Sequence, residues 1–208
     1  HFNENSVNCV TNQIHSNIVS LGSHSQEGSK TDADGLVGNK CNQNLWVYTA
    51  DCMPIFFADK RTRSVAALHC GRKGLEKRII KNLVKILDNL GTSRKDLLAA
   101  IGPAISKKNY SVDKKTLKEF YREAENKELT LCLSKTEKIS YFSKLNNLKE
   151  QNLNQIDLRR CAYRQLLNEN ILDTNIDISN LCTYELKNEF NSWRRTRTMS
   201  RQWNFICS

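Results

Sequence analysis

Cys52 and His69 stand 17 residues apart, near the two ends of a stretch, TADCMPIFFADKRTRSVAALHCGRKG (49–74), that reads as a pair of strands. A catalytic zinc ion takes three protein ligands from His, Cys and carboxylate side chains and keeps a fourth position for water or substrate. One Cys and two His complete such a set. The chain has four histidines. His1 is terminal and His24 falls in a Ser/Gly-rich loop, whereas His15, in NQIHSNIV, belongs to an alternating segment and is the better third ligand. Ligands 37 and 17 residues apart follow no compact metal motif, and a single Cys or His packed in a core is the plain alternative. The same residues admit two other chemistries. Two His, one Cys and the neighbouring Met53 make a blue-copper ligand set. A multicopper oxidase, however, needs a further cluster held by many imidazoles, which four His cannot supply, so copper is disfavoured against zinc. Without metal, Cys52 is a thiolate nucleophile and His69 its base, the pair of a Cys–His hydrolase.

These side chains need a core to position them, and 208 residues with 39% apolar content are enough for one substantial domain, 1–208. No run approaches the ~18 apolar residues of a membrane span, and the start HFNENSVNCV lacks the basic and apolar regions of a secretory signal. The cytoplasm is the expected compartment, no membrane is expected as a partner, and a start at His1 rather than Met points to a missing upstream segment. The eight cysteines are scattered, never spaced Cys-x-x-Cys, and read mostly as reduced, small core residues. A net charge of +10 suits nucleic acid, a membrane surface or an anionic substrate. Lys is abundant nearly everywhere, which favours a solvated basic surface; only WRRTRTMSRQ (193–202) concentrates Arg, and no nucleic-acid recognition motif accompanies it. Strands are predicted over LWVY (45–48), PIFFA (54–58) and SVAALH (64–69), and a buried one over LLAAIG (97–102). Apolar residues recurring at Leu75, Ile79, Ile80, Leu83, Ile86, Leu87 and Leu90 predict a helix closed by Gly91 in a left-handed cap. Weaker stripes predict helices over 116–124 and 157–168, ISNLCTY (178–184) and WNFI (203–206) read as strands, and 127–150 is polar and unassigned. Hairpin-like strands followed by helices make the fold class α+β with mixed sheets.

Six ordered motifs then bear on family: Gln13-Ile14-His15, TDADGL, TADCMPIFFAD, HCGRKGL, IGPAI and SWRR. Together, from about Gln13 to the C-terminus, they resemble the YfiH/YlmD/FAMIN or "laccase domain" family. The resemblance implies a four-layer α/β/β/α sandwich, a zinc site with His15, Cys52 and His69 as ligands, and purine nucleoside chemistry. That chemistry is phosphorolysis of adenosine, inosine and 5′-methylthioadenosine, with adenosine deamination beside it. The family's usual N-terminal region has no counterpart in this chain.

Roles for the neighbouring residues follow from this expectation. A Cys52 thiolate with two neutral imidazoles gives a Zn²⁺ site of net charge +1, suited to an anionic fourth ligand such as phosphate. After His69 the chain runs Cys70-Gly71-Arg72-Lys73-Gly74 into a helix, where free N–H groups and the basic pair suit phosphate. A tight turn with both cations in water is the alternative, and the resemblance favours phosphate. Asp51 is a candidate to hydrogen-bond a ligand imidazole, or to act as the acid/base of deamination, and is equally a common turn residue. Asp32 and Asp34 are candidates for ribose hydroxyls, or for an Asp-Gly turn. Arg194, Arg195 and Arg201 are candidates for phosphate or substrate binding, or members of a solvated tail. Relatives commonly read His-Ala-Gly-Trp-Arg-Gly where this chain has His69 to Gly74, so an aromatic side chain is missing from the loop and base stacking there is put in doubt. The base-editing type of zinc deaminase is excluded, since H-x-E and P-C-x-x-C are both absent. The expected activity is therefore a zinc-dependent purine nucleoside phosphorylase with purine nucleosides and inorganic phosphate as partners, the Cys–His hydrolase being the alternative.

Overall fold

Alternation of apolar residues in the central strands is strict enough to build two cores on the two faces of one sheet. In a computed structural model, which describes residues 6–26, 28, 31–125 and 155–208, the elements run β1 (Val7–Cys9), β2 (Val19–Leu21), β3 (Gly35–Val37), β4 (Gln43–Thr49), β5 (Met53–Asp59), β6 (Val65–Cys70), α1 (Arg72–Glu76), α2 (Ile79–Asn89), β7 (Leu97–Ile101), α3 (Lys114–Glu125), α4 (Leu158–Asn168), β8 (Ile176–Ile178), α5 (Trp193–Thr196) and β9 (Gln202–Cys207). The unassigned 127–150 stretch and His1 lie outside the described residues.

Six strands form a mixed sheet in the order β2-β3-β6-β5-β7-β8, and three more form a second sheet in the order β1-β4-β9. Residues two apart in a strand share a face. Ile55 and Phe57 of β5, and Ala66, Leu68 and Cys70 of β6, therefore meet the buried stripes of the helices, Ile80, Leu83 and Leu87 of α2 with Leu117, Phe120 and Leu166 of α3 and α4. The intervening Phe56, Ala58, Val65 and Ala67 face the other way and pack with Leu45, Val47 and Leu36 between the sheets. Full burial of a residue such as Phe57 or Ile55 stabilises the fold by about 1.5–3 kcal/mol. The fold is α+β with mixed sheets. The layers seen among the described residues are helices, the six-stranded sheet and the three-stranded sheet. The outer face of the small sheet carries the cross-strand pairs Trp46–Phe205 and Tyr48–Trp203, with Trp203 and Phe205 exposed.

Two local expectations need correction. The helix predicted from Leu75 to Leu90 is broken: Arg78 takes a left-handed φ of 61° and separates α1 from α2. The single turn α1 thereby leaves the axis of α2 and sits at the sheet end, beside the end of β6. Gly91 does close α2, at φ 83°, with Thr92 N–H donating to Leu87 O at 3.0 Å. The strand predicted over 178–184 is shifted, because β8 spans Ile176–Ile178 and the following residues form a loop held at one bridge, Ala104 to Cys182. Asp157, at the start of the helix predicted over 157–168, is the N-cap of α4, accepting the Arg160 N–H. No helix among the described residues is long and apolar enough to cross a membrane.

Candidate functional site

Strand register explains why Cys52 and His69 meet. Pro54 lies opposite His69 and Met53 opposite Cys70, so the residue before β5, Cys52, faces the residue after β6, Gly71. By the period of two, Cys52 and His69 lie on the inter-sheet side, while Met53 and Cys70 point into the helix-covered core. Met53 is fully buried there, which removes the axial methionine of the copper reading, and burial pushes the Cys70 thiol far up. Gly71 has an ordinary extended backbone; what it supplies is space. A Cβ at Gly71 would lie 2.6 Å from Cys52 Sγ, closer than any side chain tolerates.

His15 enters from a loop before β2, with a left-handed φ of 58°. Its ring lies 4.8 Å from that of His69, edge to face, and its Nε2 is 4.0 Å from Cys52 Sγ. Ligand atoms of His15, Cys52 and His69 all lie within 4.8 Å of one another. Tetrahedral zinc bonds of about 2.0–2.3 Å place ligand atoms roughly 3.5 Å apart, so the trio fits zinc after a small contraction. Burial alone would push the Cys52 thiol up, but the charges and hydrogen bonds of His69 and His15 outweigh it and bring it down to about 6. Burial likewise disfavours a charged His69, yet the Cys52 thiolate and Asp34 raise its pKa to about 9. Without metal, Cys52 and His69 thus each favour the other's charged form.

Asp34, expected at the ribose, is placed elsewhere: it is fully buried and holds His69 Nδ1 at 2.8 Å. Its carboxylate also accepts the backbone N–H groups of His15 at 3.0 Å and Ser16 at 2.6 Å. Burial opposes its ionisation, but His69 and Ser16 hold its carboxyl down at about 2. The contact to a ligand imidazole expected of Asp51 is therefore made by Asp34. Asp51 is buried at φ 89°, accepts Thr183 Oγ1 at 2.8 Å and the Arg194 N–H at 2.7 Å, and so ties residues 183–194 to the ligand trio.

A cleft of about 700 Å³ opens over these residues. Arg72, Lys73, Arg194 and Arg201 line it, as do Tyr48, Tyr110 and Trp193. Arg72 pairs with Glu76 one helical turn on, and Arg194 lies over the Tyr110 ring at 5.0 Å from its centre. Three other residues expected to bind phosphate, Gly71, Gly74 and Arg195, are absent from the cleft lining. Gly74 is buried inside α1. Arg195 spends its guanidinium on three carbonyls, those of Thr183, Tyr184 and Phe190, at 2.7–2.8 Å. Asp32 accepts Asn12 Nδ2 at 2.7 Å on the surface. Of the cleft residues, Trp193 and Gln13 belong to motifs visible in the sequence, whereas Tyr48 and Tyr110 carried no signal. They supply the aromatic surface that is missing from the loop after His69. Gln13 clasps β4, exchanging two 2.8 Å hydrogen bonds with the backbone of Tyr48.

A family model described as multi-copper polyphenol oxidoreductase laccase matches residues 1–208. A Synechocystis protein named purine nucleoside phosphorylase is 30% identical over 181 residues, covering 85% of this chain and 68% of its own length. A Mycobacterium bovis protein of the same name is 37% identical over 101 residues, 49% of this chain and 40% of its own length. The crystal structure of YlmD from Geobacillus stearothermophilus superposes with a TM-score of 0.78 at 25% identity, covering 96% of this chain and 73% of that one.

Proposed function

The chain belongs to the multi-copper polyphenol oxidoreductase laccase family, and we propose that it is a zinc-dependent purine nucleoside phosphorylase rather than a copper oxidase. The observation that carries this reading is one cleft that joins a His/Cys trio to four cationic and three aromatic side chains. Copper oxidation suits the donor set poorly, since the chain holds four His in all and Met53 faces the opposite core. The names of the Synechocystis and mycobacterial relatives support phosphorolysis.

His15, Cys52 and His69 would hold the zinc, which supplies a positive charge that polarises an oxygen ligand. The protein's own groups do the rest. Asp34 keeps the His69 proton on Nδ1, leaving Nε2 for ligation, and the depressed Cys52 thiol reaches its ligating form below neutral pH. Arg72 and Lys73 supply cations for phosphate, and Arg194 and Arg201 add two more. Tyr48, Tyr110 and Trp193 offer faces for a purine. In the reaction the C1′–N9 bond of the nucleoside breaks, an oxygen of hydrogen phosphate bonds to C1′, and the base leaves with the proton that the phosphate gives up. Holding phosphate and nucleoside in one cleft removes most of the entropic cost of bringing them together. Inosine and 5′-methylthioadenosine are further substrates in this reading, and adenosine deamination is a secondary activity. The experiment is product analysis with adenosine, with and without phosphate, alongside elemental analysis of the whole protein. Adenine and ribose 1-phosphate formed only with phosphate is the expected result; free ribose, or release indifferent to phosphate, would overturn it.

One observation favours a second reading. Cys52, His69 and Asp34 stand as nucleophile, base and orienting carboxylate of a Cys–His hydrolase. Metal content separates the two: the hydrolase would turn over as metal-free protein and be stopped by thiol alkylation.

A further inference from the structure

Three consecutive backbone N–H groups converge on one carboxylate at this site. Asp34 Oδ2 accepts from Ile14 N at 3.3 Å and Ser16 N at 2.6 Å, and also from Ser16 Oγ at 2.7 Å. Its Oδ1 accepts from His15 N at 3.0 Å and meets His69 Nδ1 at 2.8 Å. The main chain of Asp34 is fixed as well, with its N–H donating to Ile18 O at 3.0 Å and its carbonyl accepting His69 N–H at 2.8 Å. The His15 loop is thus wrapped around a fully buried acid, and the ring of His69 is bound to the same acid.

We propose that Asp34 is a positioning residue that couples the two imidazoles: it holds His15 in its left-handed conformation and fixes the His69 proton on Nδ1. The inference rests on the metal reading above and deepens it. A neutral imidazole ligates through its unprotonated nitrogen, so the partner of the other nitrogen decides which one is free. The sp² geometry of the carboxylate presents acceptors to both sides at once, and no neutral isostere can. In Asp34→Asn the amide NH₂ must face a donor whichever way it turns. Facing Ile14 and Ser16, it unpairs the loop that sets His15. Facing His69, it forces that ring to accept at Nδ1 and carry its proton on Nε2, the atom needed for ligation.

The test uses the full chain, Zn²⁺ alone as probe in competition with a chelator, and nitrogen NMR of the imidazole rings in metal-free protein. Asp34→Asn is expected to weaken zinc binding by about 10–100-fold, and either to abolish the slowly exchanging His69 Nδ1–H signal expected of the parent, where the amide faces His69, or to shift it as the His15 loop comes unpaired, where the amide faces Ile14 and Ser16. Zinc affinity equal to that of the parent with an unchanged His69 signal would overturn the proposal. The parent alone supplies a check should the variant not fold: a His69 Nδ1–H that exchanges at the rate of a free imidazole would overturn it too. A parent that binds no zinc but keeps a protected Nδ1–H would sink the metal reading while leaving the positioning role supported.

Discussion

The two ends of the cleft are built by different means. At the ligand end, Cys52 and His69 stand at the margins of adjacent β5 and β6, and the ring of His69 is locked by a buried acid. At the other end, Tyr110, Trp193 and Arg194 come from loops and a short helix far along the chain. One link that ties them to the ligands is Asp51, whose carboxylate grips Thr183 and Arg194. The ligand end is therefore set by strand register, which the hydrophobic core enforces, and the wall by a few hydrogen bonds. Ligand geometry should be brittle to local change, and the wall should change substrate binding while leaving metal binding alone.

Cys52→Ser breaks the ligand end most directly. Zinc content, expected at one ion per chain, should fall almost to zero, because a neutral hydroxyl is a far poorer ligand than a thiolate. Full occupancy in the variant would move the site elsewhere. Gly71→Ala tests register without replacing a ligand. Its Cβ would intrude on Cys52 Sγ, so chelator competition should show at least tenfold weaker zinc binding, and denaturation about 1–3 kcal/mol of lost stability, as for overpacking elsewhere. Unchanged zinc affinity would mean that the thiol position is not constrained as described.

Asp51→Asn turns to the wall. Hydrogen bonds to a charged group contribute about 1.5–3 kcal/mol, so the KM for nucleoside should rise about tenfold or more with zinc content intact. Joint loss of zinc would show that the two ends are one unit. Replacing Arg72 and Lys73 together by Ala should raise the KM for phosphate several-fold and that for nucleoside less, since ground-state anion binding is what they supply. Equal phosphate saturation would return them to the solvated surface. The smallest effect is a titration in metal-free protein. Because the Cys52 thiol is lowered to about 6, its alkylation should rise as pH passes 6 and level off by neutrality. A rate still climbing to pH 9 would mean that the imidazoles do not hold the thiolate.

How much of this was legible beforehand depends on the range of the interaction concerned. Cys52, His69 and the strands carrying them are readable because a period of two and a turn between strands are local properties. His15 was readable by elimination among four histidines and by family resemblance. Asp34 is visible in its motif, but its partners are not. Nothing in TDADG tells which groups its carboxylate will meet, since Ser16 and His69 lie 18 and 35 residues away. The break at Arg78 escaped because the apolar stripe continues unbroken across it; a stripe records which face is buried, not whether the axis bends.

The sequence by itself determined the chemistry on offer: a thiol, two imidazoles, basic residues near them, and alternating strands to carry them. Only the tertiary structure decided which acid orients His69, which arginine reaches the cleft and which is spent on carbonyls, and where the aromatic surface comes from. The reason is physical. Covalent neighbours and side-chain period fix which face a residue occupies, whereas a buried carboxylate or guanidinium takes whatever donors and acceptors packing brings within hydrogen-bond reach, whether from 5 residues away, as Phe190 is from Arg195, or from 132, as Thr183 is from Asp51.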